Sequence, residues 1–205
     1  MLKPGDLRSL AASLASSFDA RDVPLAALCT CFGVEPTALQ RAVEDGRAIA
    51  TAYPLDSHVT DEADAAVGQL VALLGPAADE ATAARIGLLA QAGTATGVLV
   101  ESALEELRAG PARAVEQVIS DTLERKPPVT VTRRERAGRT VVLDLAAAQL
   151  PFGHGPRACP GREHALAIAA GVRDAAVASS AAGPSSATSR PTAASASSVT
   201  SLSSG

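Results

Sequence analysis

The sequence predicts a mainly α-helical fold with a small β element. Its 205 residues are 47% hydrophobic but only 2% aromatic, a composition that favours helices packed through small side chains. Apolar residues recur at helical spacing near the start, at Leu7, Leu10, Leu14 and Phe18. One later stretch, residues 129–145, is instead rich in β-branched residues that alternate with polar ones, which predicts short strands.

Start and stop signals divide the first half of the chain into four predicted helices. The first lies within residues 1–20, and Asp22 can cap the second, which is predicted from Val23 to Phe32. The third is predicted over residues 37–52 and the fourth over residues 61–74. The first half is therefore predicted to be entirely helical.

The second half is predicted to combine helices with one pair of strands. Its longest helix candidate, residues 77–107, has an apolar centre and must be largely buried if it is helical. A shorter helix over residues 112–125 precedes two β-rich segments, residues 129–134 and 139–145. Ala137-Gly138 lies between these segments and offers the turn of a hairpin.

The C-terminal end is predicted to change from a helix to a tail. Residues 163–172 have the composition of a helix, whereas residues 178–205 are almost entirely Ser, Ala, Thr, Gly and Pro. Such a tract buries too little apolar area to offset the entropy of ordering it. We therefore expect one domain over residues 1–177 and a disordered tail over residues 178–205.

Charge and cysteine content exclude several classes of protein. The net charge is −4, and the 18 Lys and Arg residues are scattered, so we expect no nucleic-acid partner. Three cysteines, an odd and small number, argue against a disulfide scaffold and for a reducing cytoplasm. No apolar run of about 20 residues and no signal peptide is found, so we also expect no membrane partner.

One stretch, residues 150–161, holds a potentially reactive side chain between residues that fix the backbone. Three glycines and three prolines surround Arg157 and Cys159, and a predicted helix follows. The positive end of that helix and the adjacent guanidinium favour a thiolate at Cys159. A single thiolate cannot by itself build a zinc or iron–sulfur site, but it can be the only protein ligand of haem iron.

The motif Phe152-x-x-Gly155-x-Arg157-x-Cys159-x-Gly161 closely resembles the haem-binding loop of cytochrome P450 enzymes. The resemblance implies haem b (iron protoporphyrin IX) as cofactor, with Cys159 as the proximal iron ligand. It further implies that Phe152 packs near the sulfur and that Arg157 pairs with a haem propionate. Gly155 and Gly161 would let the loop turn and approach the porphyrin. The implied fold is a truncated cytochrome P450-like helical fold of the bacterial type.

The segment from Ala92 to Thr96 is similar to the oxygen-activation segment of the same family. The resemblance implies that Ala92 and Gly93 leave room for dioxygen and that Thr96 assists its activation. Ala95 stands where the family has an acidic residue. From the residues alone, a Gly/Ala/Thr packing groove between helices is the alternative interpretation.

Two arginines in the first β-rich segment are further candidates. Residues 127–134 resemble the family segment that follows the Glu-x-x-Arg helix and carries an arginine to a haem propionate. Arg133 or Arg134 would take that role. The alternative is that both are solvent-facing arginines on a short strand.

The chain also departs from the family pattern. Counting back from Pro127, the Glu-x-x-Arg pair falls at Asp121 and Glu124, so that an acid stands where the arginine belongs. Aligning on residues 114–117 instead puts Gln117 and Ser120 there, and Glu105-x-x-Arg108 fits the letters but lies too early in the chain. The meander that supports the thiolate loop in the family has no counterpart, because residues 145–149 run directly into the loop.

Two functions follow from the resemblance. The first is a haem-thiolate oxidoreductase of the cytochrome P450 monooxygenase type, supplied with electrons by a separate ferredoxin or flavin reductase, because the chain has no Gly-rich dinucleotide-binding loop. The alternative is a non-catalytic P450-like auxiliary protein, for example a partner of a glycosyltransferase in a natural-product pathway of secondary metabolism. A degenerate fragment is the third possibility.

Overall fold

The computed structural model describes residues 3–54, 57–75, 79–109 and 113–181. Within them the protein is mainly α-helical with one two-stranded antiparallel sheet, which confirms the predicted fold class. The helices of the first half are α1 (Pro4–Leu14), α2 (Val23–Cys31), α3 (Leu39–Ala52) and α4 (Asp61–Leu74). The later elements are α5 (Glu80–Gln91), α6 (Gly97–Ala109), α7 (Val115–Arg125), β1 (Val131–Arg136), β2 (Arg139–Asp144) and α8 (Arg162–Ala181).

Side-chain caps fix two of the helix starts. The Thr60 hydroxyl accepts a hydrogen bond from the backbone N–H of Ala63 at the start of α4, at 3.1 Å. Asp79 accepts one from the N–H of Thr82 at the start of α5, at 2.8 Å. Asp22 precedes α2 as expected, but its carboxylate does not cap that helix. It is buried and binds the guanidinium of Arg47 instead.

The core consists of two clusters that share α2. This helix is apolar on all sides and is buried from Val23 to Cys29, because other helices surround it. The first cluster contains Leu7, Val23, Leu99, Val118 and Ile168, from α1, α2, α6, α7 and α8. The second contains Leu25, Val43, Leu70 and Leu89, from α2, α3, α4 and α5.

The helices α5 and α6 form one continuous helix, Glu80–Ala109, through a single π-helical turn at Ala92–Thr96. By length and composition this helix could cross a membrane, with a mean hydropathy of 1.3 over 18 residues. From the sequence alone, no apolar run of about 20 residues is expected. Of that window 44% is buried inside the protein, and Leu89 and Leu99 lie in the two core clusters. Core helices of soluble proteins show the same pattern.

The C-terminal helix is longer than predicted. It includes residues 178–181, which the sequence assigns to the tail. The rest of the predicted tail, residues 182–205, lies outside the described residues.

The two strands form a hairpin that extends from the helices. Ala137 and Gly138 make the turn with φ of 51° and 70°, as a tight two-residue hairpin requires. Every residue of β2 is exposed, and the hairpin makes no extensive contact with any described helix. Both strands lie where the sequence predicts them.

Candidate functional site

The backbone closes the loop that carries Cys159. The N–H of Cys159 donates to the carbonyl oxygen of Phe152 at 2.8 Å, and the N–H of Gly153 donates to that of Leu150 at 2.9 Å. Gly153 and Gly155 have φ of 68° and 63°, a left-handed conformation that glycine adopts without strain. These two glycines therefore allow the backbone to turn within the loop.

Cys159 lies immediately before the N-terminus of α8. The N–H of Arg162, the first residue of that helix, donates to the carbonyl oxygen of Cys159 at 3.4 Å. The Cys159 side chain is exposed, and so is Arg157 in the short 3₁₀ helix Gly155–Arg157. A β-carbon at Gly161 would lie 3.8 Å from the Cys159 sulfur, so Gly161 leaves the sulfur open on that side.

Phe152 has a contact that the sequence does not suggest. The guanidinium carbon of Arg162 lies 5.7 Å from the centre of the Phe152 ring, a cation–π arrangement. Both side chains line a cleft of about 350 Å³ between the loop and α7, which Glu124 and Gln149 also line. The cleft lies where the chain passes directly from β2 to the loop.

The segment from Ala92 to Thr96 is the π-helical turn. Gly93 and Thr96 are buried, and Ala92 is half-buried. A β-carbon at Gly93 would lie 3.0 Å from the β-carbon of Ala50 and 3.3 Å from Leu25, so close packing requires this glycine. Single π turns inside α-helices are frequent at functional sites. The packing-groove interpretation of this segment thus has a structural basis, and its role in oxygen activation stays a prediction.

The fold brings the two predicted site segments onto neighbouring elements. Helix α8, which begins just after Cys159, packs against the π turn and against α6. A second cleft, of about 470 Å³, lies elsewhere, between the start of α2 and α6, and is lined by charged residues such as Arg21 and Glu101. Neither cleft is lined by Cys159 or Thr96.

Arg133 and Arg134 are exposed on β1 and face opposite sides of the hairpin. The Arg134 guanidinium donates to the hydroxyl of Thr132 and to the carbonyl oxygen of Arg133, at 2.7 and 2.8 Å. The base of the hairpin joins the loop through hydrogen bonds from Leu145 N–H to Thr130 and from Leu150 N–H to Leu145. The hairpin is thus connected to the Cys159 loop by backbone contacts.

An ion-pair network includes Asp121, one of the positions to which the family's Glu-x-x-Arg pair can be aligned. Asp121 binds Arg113, which also contacts Glu106 at 3.5 Å, and Glu106 binds Arg125 at 2.7 Å. These contacts join α6 to α7. The sequence suggests only a solvated helix face for Glu106, because the partners lie on another helix.

Other candidate ligands do not converge in the described residues. Cys29 is fully buried, and burial, with a contribution from the nearby Asp45, raises the pKa of its thiol to about 12. His164 has a buried Nδ1 without a hydrogen-bond partner among the described residues. No group of three or more His, Cys, Asp or Glu side chains in this part of the chain could hold a metal ion.

Comparisons with known proteins identify the fold. No family model and no curated protein matches the sequence. The open form of the histidine-tagged cytochrome P450 Eryk from S. erythraea matches the structure, with a TM-score of 0.61 and 19% identity. The chain has a P450-like fold. The match covers 85% of this chain and 66% of the Eryk chain, so the chain spans just under two thirds of that protein's length.

Haem is the cofactor that a P450-like fold implies, and the residues at the loop fit it. Cys159 offers one exposed sulfur donor at the start of α8, and Gly161 leaves space beside that sulfur. The Arg157 guanidinium is exposed in the same loop and suits a carboxylate. A lone thiolate donor suits haem iron and does not suffice for a structural zinc site.

Proposed function

We propose that the chain is a divergent member of the cytochrome P450 family and a haem-thiolate oxidoreductase of the monooxygenase type. The observation that carries the proposal is Cys159 at the end of a glycine-shaped loop, at the start of α8, in a P450-like fold. Cys159 is the proposed iron ligand, and Arg157 with Arg133 or Arg134 would bind the propionates. When bound, haem would supply the redox chemistry of O₂ activation, which a cysteine ligand such as Cys159 would favour.

The chain's own residues would orient the haem and shield it. The hydrogen bond from Cys159 N–H to Phe152 fixes the direction in which the cysteine leaves the loop. Gly155 and Gly161 carry no side chain, and an added β-carbon at Gly155 would have no atom within 4 Å, so this part of the loop is open. Arg162 stacks on the Phe152 ring and brings a positive charge to the helix start.

Thr96 has the proposed proton-handling role. Thr96 is 8% exposed in the π turn, beside Ala92 and Gly93, where the absence of a side chain at Gly93 permits close packing against Ala50 and Leu25. A hydroxyl can both donate and accept a hydrogen bond, which suits it to passing a proton toward dioxygen. Because Ala95 cannot carry a proton, water would have to take the place of the acid. We therefore expect slower turnover than an acid at that position would allow.

Electrons would come from a separate ferredoxin or flavin reductase. The proposal places the protein in the cytoplasm, where its three cysteines, Cys29, Cys31 and Cys159, would stay reduced as they are in this structure. The described residues do not identify a substrate class.

The absorption spectrum of the reduced protein with carbon monoxide tests the proposal. We expect a thiolate-type Soret band after expression with a haem precursor, and its loss in Cys159→Ala. Cys31→Ala, at a half-buried cysteine outside the loop, is the matched control and should keep the band. A protein without the band, or a band that survives in Cys159→Ala, would refute the proposal.

One observation favours the alternative of a non-catalytic auxiliary protein. Asp121 occupies the place of the family's glutamate and binds Arg113, and Glu124 stands where the arginine belongs. Counted back from Pro127, the chain therefore lacks this pair, and the ion pairs of this region link Glu106 of α6 to Arg113 and to Arg125 of α7. An auxiliary protein would co-purify with a pathway enzyme, such as a glycosyltransferase, and would show no haem absorbance.

A further inference from the structure

The outer edge of β2 is an unprotected pairing surface. Every residue of β2 is exposed, with Val142 58% and Leu143 45% exposed. Sheet edges are normally protected by central charges, prolines, bulges or a covering element. The charges of β2 lie only at its ends, at Arg139 and Asp144, and the described helices do not cover the strand. A neutral, β-branched centre with a free edge favours addition of another strand.

The turn fixes which backbone groups of β2 are available. Arg136 and Arg139 flank the two-residue turn and form a hydrogen-bonded pair, and such pairs alternate with non-bonded pairs along an antiparallel ladder. The β2 residues whose N–H and C=O groups point away from β1 are therefore Thr140, Val142 and Asp144. A partner strand must pair with these residues.

We propose that β2 pairs antiparallel with β2 of a second copy of this chain, around a two-fold axis at Val142. A two-fold axis perpendicular to the sheet leaves each side chain on the same face of the sheet. Only residues whose side chains share a face can therefore lie opposite each other. With Val142 opposite its own copy, Thr140 lies opposite Asp144 on either side of the axis. The hydroxyl of Thr140 already donates to Glu135 within each copy, so this pair adds no hydrogen bond across the axis, but it brings no like charges together.

The other face of β2 supports the same register. Val141 there lies opposite Leu143 of the second copy, and no like charges meet. An axis at Val141 instead would place Arg139 opposite Leu143 and would separate Thr140 from Asp144. The register around Val142 therefore pairs more apolar side chains with one another than its nearest alternative, in which Thr140 lies opposite Val142.

The size of the surface sets the strength of the dimer. One strand edge with its side chains buries less than the ~1,200 Å² typical of stable complexes, so we expect reversible association that depends on concentration. The dimer rests on the hairpin and does not depend on haem or on the proposed oxidoreductase function.

Sedimentation of the full chain over a concentration series tests the dimer. We expect a dimer that Val142→Lys abolishes, because two ammonium groups would meet at the axis, and that Val142→Pro abolishes, because the outward N–H is lost. Val59→Lys is the matched control, since Val59 is a 72% exposed valine away from the hairpin, and it should leave the dimer unchanged. A monomer at all concentrations, or a dimer that both Val142 variants retain, would overturn the proposal.

Cross-linking tests the register even if a variant folds poorly. In a Cys159→Ser background, Val142→Cys should form a disulfide-linked dimer, because hydrogen-bonded partners lie about 5.5 Å apart between α-carbons. Thr140→Cys is the control, since its two copies would be about four residues, or roughly 14 Å, apart along the strands. Equal cross-linking of both variants, or of neither, contradicts the register.

Discussion

Gly171 of α8 crosses α1 so closely that a β-carbon on it would lie 2.1 Å from the carbonyl oxygen of Arg8. The same β-carbon would lie 3.0 Å from that of Ala11. The Arg8 guanidinium binds Asp174, one turn along α8, with an Nε–Oδ2 distance of 2.7 Å. The absence of a side chain at Gly171 therefore permits both the helix crossing and the ion pair beside it.

Gly171→Ala should destabilise the protein by about 3 kcal/mol, because the clash is with backbone and α1 must move. Gly87→Ala is the matched control: Gly87 lies inside α5 with no atom within 4 Å of an added β-carbon. This second substitution should stabilise the protein by up to about 1 kcal/mol through helix propensity. Urea denaturation measures both, and equal effects of the two would contradict the crossing.

Substitutions in the π turn separate packing from function. Gly93→Ala should lower the free energy of unfolding by about 1 to 2 kcal/mol, because its β-carbon would meet Ala50 and Leu25 side chains that can shift slightly. Thr96→Val keeps the volume and should change stability less. If the proposed function holds, Thr96→Val should raise the number of electrons consumed per product. An unchanged ratio would leave Thr96 with a packing role only.

The three cysteines should react in the order of their exposure. With a pKa of about 12, the Cys29 thiol is ionised in about one molecule in 10⁴ at pH 8, and it is fully buried. Cys159 is exposed and should be labelled first by N-ethylmaleimide, as mass spectrometry of digested protein can follow. Added haem should protect Cys159 from labelling and should leave the labelling of Cys31 unchanged. Protection of both alike would indicate nonspecific binding.

Asp45 predicts a dependence of stability on pH. Burial raises the pKa of its carboxyl more than Arg41 lowers it, with a smaller rise from Glu44. A raised pKa in the folded state means that the contribution to stability is complete below the pKa of the unfolded chain. That contribution is lost as the pH rises through the folded-state pKa. Asp45→Asn should therefore gain stability over the wild type as the pH rises from about 4 to 7.

Asp79 provides the control with the opposite sign. Its pKa is lowered, first by the hydrogen bond from the backbone of Thr82, so its contribution is present at neutral pH. That contribution is lost as the pH falls through the folded-state pKa. Asp79→Asn should therefore lose stability near neutral pH and match the wild type in acid. Urea midpoints between pH 3 and 7 check both variants, and parallel curves for Asp45→Asn and the wild type would contradict the first prediction.

Local signals in the sequence were sufficient for most of the secondary structure. Helix α4 begins and ends where predicted, because the hydroxyl of Thr60 caps it and a glycine follows Leu74. The hairpin is also correct, because Ala137-Gly138 can adopt positive φ between two β-rich segments. The glycine at position 93 has a similar single cause, because a β-carbon there would lie 3.0 Å from that of Ala50 and 3.3 Å from Leu25. These features depend on residues near one another in the chain or on a single steric requirement.

Features that depend on distant residues could not be predicted. Asp22 has the position and chemistry of a cap, but Arg47 is a stronger partner that only the tertiary fold brings near. The same holds for the network around Arg113. The π turn adds one residue to a helix without an evident sequence signal, since Ala92–Thr96 are all small. The roles of Cys159, Arg157 and Thr96 stay predictions, because the P450-like fold places their segments without testing their chemistry.

The contact between α1 and α8 has a consequence for synthesis of the chain. Helix α1 is synthesised early, whereas α8, residues 162–181, is at the end of the described chain. The two helices can therefore pack only after almost the whole described chain has left the ribosome. Contacts so distant in sequence slow folding. During that interval Leu7 and Ala11, fully buried in the finished protein, are exposed to water and to other nascent chains. Chaperone dependence should therefore fall when the two helices are joined in a circular permutant.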